Sequence, residues 1–282
     1  MIFSAHRRAL AEALEPPRAE GLRLGLVPTM GFLHEGHLSL VDLARKEAGF
    51  LAVSVFVNPL QFGHGEDLDR YPRDLHRDLE LLRERGVDLV FAPSVEEMYP
   101  GGGPQVVVDP GPMGTKLCGH YRPGHFGGVL TVVARLFGLL RPQLAVFGQK
   151  DYQQAALVKR MVRDLEMPVE ILTGPIVRED DGLAMSSRNV LLSAEERADA
   201  VGLSRGLREV QRLYLEGERS GAVLRSALHE VVSGFSLLHL QYGEIIHPET
   251  LDPVPEADPG AVAVLAAHCG QTRLIDNHIL AA

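Results

Sequence analysis

Between residues 22 and 173, short β-prone apolar runs alternate with segments whose apolar residues recur at helical spacing, and this alternation restricts the fold more than anything else in the chain. Residues 22–28 read as a buried strand, and Leu38, Leu40, Val41, Leu43 and Ala44 mark a helix over about 36–48. Phe50 to Val57 is a continuous apolar run suited to a second strand. Leu75, Leu79 and Leu82 predict a helix over 74–85 that stops at Gly86. Residues 87–91 form another short strand, and 105–109 a further one. Beyond a Gly- and Pro-rich stretch at 109–128, the pattern predicts a helix over 129–140, a strand at 144–147, a helix over 152–164 and a strand at 169–173. Strands apolar on both faces and separated by helices belong to a parallel sheet covered on both sides. The expectation is an α/β fold built on a doubly wound, Rossmann-like sheet.

The remainder differs. Ser193-Ala-Glu-Glu196 is a capping-box start for a helix reaching about Gly217, and a second helix covers about 222–233. Three short strands are expected at 240–246, 261–267 and 272–276, with a Pro-rich link from Pro248 to Pro259. The boundary falls near 174–180, giving domains at 1–176 and 177–282, the second a smaller α/β unit.

Composition narrows the function classes. The net charge is −9 with a pI near 5.7, which argues against a broad nucleic-acid-binding face. No apolar stretch approaches the roughly 18 residues of a membrane span, so no membrane partner is expected. Two distant cysteines, Cys118 and Cys269, and an N-terminus without a long apolar core fit a reducing cytoplasm.

Ligands of parallel sheets bind beyond the carboxyl ends of the strands. His34, His37, Asn58 and Lys150 all follow predicted strands and should meet at one edge. The block Pro28-Thr-Met-Gly-Phe-Leu-His34-Glu-Gly-His37 places two histidines where a strand ends and a helix begins. Unpaired N–H groups and a partial positive charge collect anions there, and residues three apart share a face of the turn. Gly31 and Gly36 allow a ligand to approach the backbone. A zinc site is the weaker reading, because no suitably spaced companion ligands stand nearby.

Asn58 and Gln61 are amides suited to orienting a small polar substrate, although Asn58-Pro59 also suits a turn that caps a helix. Asp78 sits on a helix where it could face magnesium, or simply solvent. The loop from Gly119 to Gly128 holds one arginine and two histidines, a lid or a tight turn. Lys150 lies in a Gly-containing turn after a buried strand, a standard way of presenting a point charge to phosphate. In Met185-Ser186-Ser187-Arg188, two hydroxyls and a guanidinium can wrap phosphate oxygens.

Together these motifs resemble the pantothenate synthetase (pantoate–β-alanine ligase) family, within the nucleotidyltransferases that share a His-x-Gly-His signature. The block at 28–37 resembles that signature, and 185–188 its mobile Lys-Met-Ser-Lys-Ser loop. Val-Asn-Pro-Leu-Gln-Phe at 57–62, Tyr-Pro-Arg at 71–73, Arg-Pro-Gly-His-Phe at 122–126 and Lys-Asp-Tyr-Gln-Gln at 150–154 follow in the family's order. Residues 273–277 resemble its usual ending, and Gln149 stands where the family often has Glu, a departure expected to matter little.

The resemblance implies an ATP-dependent ligase that activates pantoate as an adenylate and passes it to β-alanine, with Mg2+ on the phosphates and a homodimeric assembly. It implies that His34, His37, Lys150, Ser186, Ser187 and Arg188 meet the triphosphate. The ATP site would also include Met30, Gly31, Phe32, Leu33, Glu35, Gly36, Gly148, Gln149, Asp151, Val177 and Met185. Met30, Gln61 and Gln154 would hold pantoate, with Asn58 shaping that site and Asp78 facing the metal. The second domain is expected to cover the site and move as ATP binds. Competing readings are a tRNA synthetase, an adenylyltransferase acting on a phosphate, and a nucleotide-binding regulator that has lost catalysis.

Overall fold

A computed structural model describes residues 1–63 and 65–281. The strands are β1 Ile2–Ser4, β2 Leu24–Thr29, β3 Phe50–Val55, β4 Leu89–Phe91, β5 Leu144–Gly148, β6 Glu170–Gly174, β7 Leu238–Ile246, β8 Val262–Cys269 and β9 Thr272–Ile279. The helices are α1 Arg7–Ala19, α2 Glu35–Glu47, α3 Leu75–Glu84, α4 Val95–Met98, α5 Cys118–Tyr121, α6 His125–Leu140, α7 Tyr152–Asp164, α8 Ala194–Ala200, α9 Gly202–Leu215 and α10 Gly221–Ser233. They divide into two units.

The first unit takes in Met1–Gly114, Arg122–Gly148 and Leu157–Pro175. Its sheet has six strands in the order β1-β4-β3-β2-β5-β6, every pair parallel. Parallel neighbours need crossovers, and helices supply them, as the alternating pattern predicts. Leu38, Val41 and Ala44 of α2 pack with Val27, Leu51, Val53, Leu144 and Val146 of the central strands, all nearly inaccessible to water. Burial at about 25 cal/mol per Å2 of apolar surface makes this the chief stabilising term.

The second unit contains Thr115–Tyr121, Gln149–Ala156 and the chain from Ile176 onward. Its sheet is antiparallel, β7-β8-β9, and α9 and α10 pack on it and on each other around Leu203, Leu207, Val210, Leu224 and Leu228. The capping box at the start of α8 is present: Glu196 N–H donates to Ser193 Oγ, and Ser193 N–H donates to Glu196 Oε2.

Two expectations need correction, and β1 and α1 lie where none was made. A three-residue edge strand carries too little periodicity, and the Pro16-Pro17 pair in the last turns of α1 is of a type that ordinarily breaks a helix. Residues 105–109 form no strand; Val106 and Val107 are exposed, and Val108 N–H is taken by Thr131 Oγ1. β-propensity reflects fit to a pleated, half-buried surface, and this run has no such neighbour. The single long helix after Ser193 is two, broken at Val201 before Gly202, a weak helix former. Among the described residues no helix is long and apolar enough to cross a membrane.

Candidate active site

In the first unit the turn from β2 into α2 is built tightly. Thr29 Oγ1 donates to Ser54 O and accepts from Gly31 N–H. Gly31 and Phe32 both have positive φ, +82° and +51°. The first suits glycine, and a Cβ there would come within 2.9 Å of Asp78 Oδ2 and Val55 Cγ1. The second is unusual for a phenylalanine and has to be held in place.

Asp78 holds it. Its Oδ2 accepts from Phe32 N–H at 2.8 Å and its Oδ1 from Leu33 N–H at 2.7 Å. The side chain is 1% exposed, so the alternative of a solvated carboxylate is overturned: the apolar face of α3 carries it inward. Burial raises its pKa, and the two backbone donors and Arg77 work against that rise. Both oxygens already serve the turn, and among the described residues no group of three His, Cys, Asp or Glu could hold a metal ion.

The turn delivers the histidines. His34 is the N-cap of α2, its Nδ1 accepting from Gly36 N–H at 3.1 Å, and His37 Nδ1 accepts from His34 N–H at 3.4 Å. The rings lie 4.0 Å apart between centroids. An imidazole whose Nδ1 accepts a backbone N–H carries its proton on Nε2. Both rings are therefore fixed as Nε2–H donors at a helix N-terminus. Elsewhere in the block, Leu33 is a core residue at 1% exposure, and Glu35 pairs with Arg85 at 3.0 Å.

After β3, Asn58 is buried and its amide is fully engaged. Nδ2 donates to Gln61 Oε1 and Gly128 O, while Oδ1 accepts from Tyr99 Oη–H and Leu60 N–H. Burial pushes the Tyr99 phenol up to about 12, so it stays a donor. Gln61 Nε2 reaches Met30 Sδ at 3.1 Å, which brings two predicted pantoate residues together. Their carrier turn is fixed from behind: His125 Nδ1 and Arg122 Nη2 meet Gln61 O, and Arg122 grips Glu66. The Gly119–Gly128 loop thus ends as the backing of Gln61. Gly128 itself touches the turn; a Cβ there would lie 2.1 Å from Leu60 O.

The second unit gathers the other candidates. Lys150 follows β5 in the short 3-10 turn Gln149–Asp151. Desolvation lowers its pKa; Asp151 opposes this, Arg188 adds to it and Asp276 opposes it, so lysine, Arg188 and both carboxylates share one electrostatic neighbourhood. Ser186 Oγ accepts from Arg188 N–H and caps the 3-10 turn Ser187–Leu191. Met185 N–H donates to Val177 O, and Arg178 pairs with Ala184 in an antiparallel bridge, so Val177 and Met185 face across a small hairpin. Glu179 links Asn189 to Arg197, which also holds Asp181. Gln154 lies in the first turns of α7, whereas Gly148, which ends β5, belongs to the first unit.

A model of the pantoate-beta-alanine ligase family matches residues 3–279. The chain belongs to that family. It is a ligase. The pantothenate synthetase of Thermoanaerobacter sp. (strain X514) is 54% identical over 264 residues, 94% of this chain and 93% of its own. That of Nocardioides sp. (strain ATCC BAA-499 / JS614) is 55% identical over 98% of this chain and 84% of its own. The crystal structure of pantothenate synthetase from Thermus thermophilus has a TM-score of 0.95 at 50% identity and covers all of both chains. The pantoate-beta-alanine ligase of Francisella tularensis, solved in complex with beta-gamma ATP and beta-alanine, has a TM-score of 0.83 at 31% identity, covering 99% of this chain and 97% of its own.

Three groups in the ligase escaped sequence reasoning: Tyr99, the Arg178–Asp276 pair and Asn277. Asp276 accepts both Arg178 Nη atoms, at 2.7 and 3.0 Å, and Asn277 bonds the Gln149–Lys150 turn. No local spacing links residues about a hundred positions apart. Of these, only Asp276 and Asn277 lay inside a recognised motif, the family-like ending at 273–277.

Proposed function

We propose that this ligase condenses pantoate with β-alanine in two half-reactions. A carboxylate oxygen of pantoate attacks the α-phosphorus of ATP, the bond to the β-bridging oxygen breaks, and pyrophosphate leaves. The β-alanine amine then attacks the acyl carbon of pantoyl adenylate, AMP departs with the bonding pair, and the amine loses a proton. The observation that carries this reading is the pair of imidazoles at the start of α2, each fixed with Nε2–H as donor. Charge grows on nonbridging and leaving oxygens during attack, and prearranged donors stabilise it.

His34 and His37 would supply that stabilisation as hydrogen-bonding rings. Lys150 and Arg188, which share one electrostatic neighbourhood, would supply positive charge to the phosphates, with Ser186 and Ser187 adding hydroxyls. Gly148, Gln149, Asp151, Val177 and Met185 would border the adenosine. Met30, Gln61 and Gln154 would orient pantoate, whereas Asn58, with every hydrogen-bonding position engaged, would act on the substrate through Gln61. Pantoate is anionic at neutral pH, so attack needs positioning more than a general base. Magnesium enters this reading as the ion that accompanies the triphosphate and would neutralise the leaving pyrophosphate. A homodimer, which rests on family resemblance, and a cytoplasmic location, which rests on two distant cysteines, complete the reading.

The test mixes purified protein with ATP, magnesium, pantoate and β-alanine and follows AMP. Release that needs both organic substrates is expected. Nucleotide binding without turnover would overturn the reading in favour of a non-catalytic regulator.

A further inference from the structure

Asn277 lies near the end of β9 and is 2% exposed. Its side chain makes three hydrogen bonds, all to the turn that carries Lys150. Nδ2 donates to Gln149 O and to Lys150 O, each at 3.0 Å, and Oδ1 accepts from Gln149 Nε2 at 3.1 Å. Two backbone carbonyls can only accept, so the amide can sit one way round, and its oxygen then requires a donor. Gln149 provides that donor; a glutamate in the same position would set oxygen against oxygen.

The preceding residue does related work on another segment. Asp276, also 2% exposed, takes Arg178 in a bidentate pair and accepts the N–H of Asn277 at 2.8 Å. Arg178 in turn donates to Gly182 O at the tip of the 177–185 hairpin. One strand end therefore secures both the lysine turn and the hairpin that precedes Ser186–Arg188.

A lysine presents its charge on a flexible four-carbon stem, so the location of the ammonium depends on how firmly its backbone is held. A three-residue 3-10 turn has poor internal hydrogen bonding and gains definition from outside anchors. We propose that Asn277 is a positioning residue for the ligase reaction, fixing the Gln149–Lys150 backbone so that the Lys150 ammonium meets the phosphates in one place. The inference rests on the proposed contact between Lys150 and ATP. It assigns Asn277 no contact with substrate.

Pyrophosphate release from ATP and pantoate, without β-alanine, isolates the first half-reaction under single-turnover conditions. Asn277→Asp keeps the volume and turns a donor toward the two carbonyls into an acceptor. It should slow that step about 10- to 100-fold, the scale of misplacement by about 1 Å, with the apparent affinity for pantoate changed less than about twofold. Gln149→Met removes one of the three bonds to Asn277, that to Oδ1, and should slow the step less, giving a second arm if the Asn277 variant fails to fold; an added loss of ATP affinity would report the adenosine contact separately. The deciding measurement is the double substitution with Lys150→Met. If Asn277 acts through the lysine, Asn277→Asp or Gln149→Met should cost less than about twofold in that background. Losses that multiply, or folded Asn277 and Gln149 variants with wild-type rates, would overturn the proposal. A wild-type rate for Lys150→Met alone would instead remove the phosphate role of the lysine, and the proposal with it.

Discussion

At the scale of single residues, the decisive feature is which nitrogen of each imidazole is engaged. Because backbone N–H groups hold both Nδ1 atoms, the Nε2–H groups of His34 and His37 are the donors assigned to the phosphates. Replacing His37 by Gln should lower the turnover of adenylate formation about 10²- to 10³-fold, the usual loss for one such donor. An unchanged rate of pyrophosphate release would defeat that assignment. Asp78→Asn is the complementary test of the turn. An amide can offer one oxygen where two N–H groups now need acceptors, so stability should fall by about 1–3 kcal/mol in urea unfolding, with activity falling too. The sequence made the histidines legible because their signal is local: a strand end, a helix start and two rings three residues apart. The task of Asp78 was not legible, since Phe32 and Leu33 lie more than forty residues away and only the sheet brings them together.

Elements position the candidate residues by contact more than by their own preferences. The start of α6 presses against the 59–61 turn at Gly128, so Gly128→Ala should force the two apart. We expect a stability loss of about 1–3 kcal/mol from overpacking and a raised KM for pantoate with a smaller change in kcat. The 177–185 hairpin depends on charge. Arg197 depresses the pKa of Glu179, with burial opposing and Asn189 assisting; burial works to raise that of Asp181, and the Leu183 N–H and Arg197 together bring it down. Folded-state values below the ordinary 4.5 and 3.8 mean that this stabilisation is present above those values and is lost as pH falls through the lowered ones. The wild-type urea midpoint should therefore decline from about pH 5 toward pH 3, and Arg197→Met should flatten the decline; both pairs are partly exposed, so the effect is modest. Periodicity identified the central strands and α2 because burial on both faces is written into continuous apolar runs. It misread 105–109, where the same residue types face solvent.

For the molecule as a whole, the change in pattern near residue 176 marks the passage from the parallel-sheet half to a second unit, whose antiparallel pairing the sequence did not show. The recruitment of 115–121 and 149–156 into the second unit was not legible, because both segments sit inside the alternating half, the first within a Gly- and Pro-rich stretch that reads as a loop or lid. Cys118 and Cys269 are both unpaired and buried, and burial pushes the Cys269 thiol up to about 11. An aromatic disulfide reagent at pH 8 should label the folded protein slowly and reach two thiols per chain only after denaturation. Rapid labelling of the folded state would contradict the burial of both groups. That silence has a practical use. A cysteine placed at exposed Lys46, in the first unit, or Glu216, in the second, would be the one fast-reacting thiol on its unit, so a pair of dyes or spin labels could record separations in solution without stripping the native cysteines from the chain.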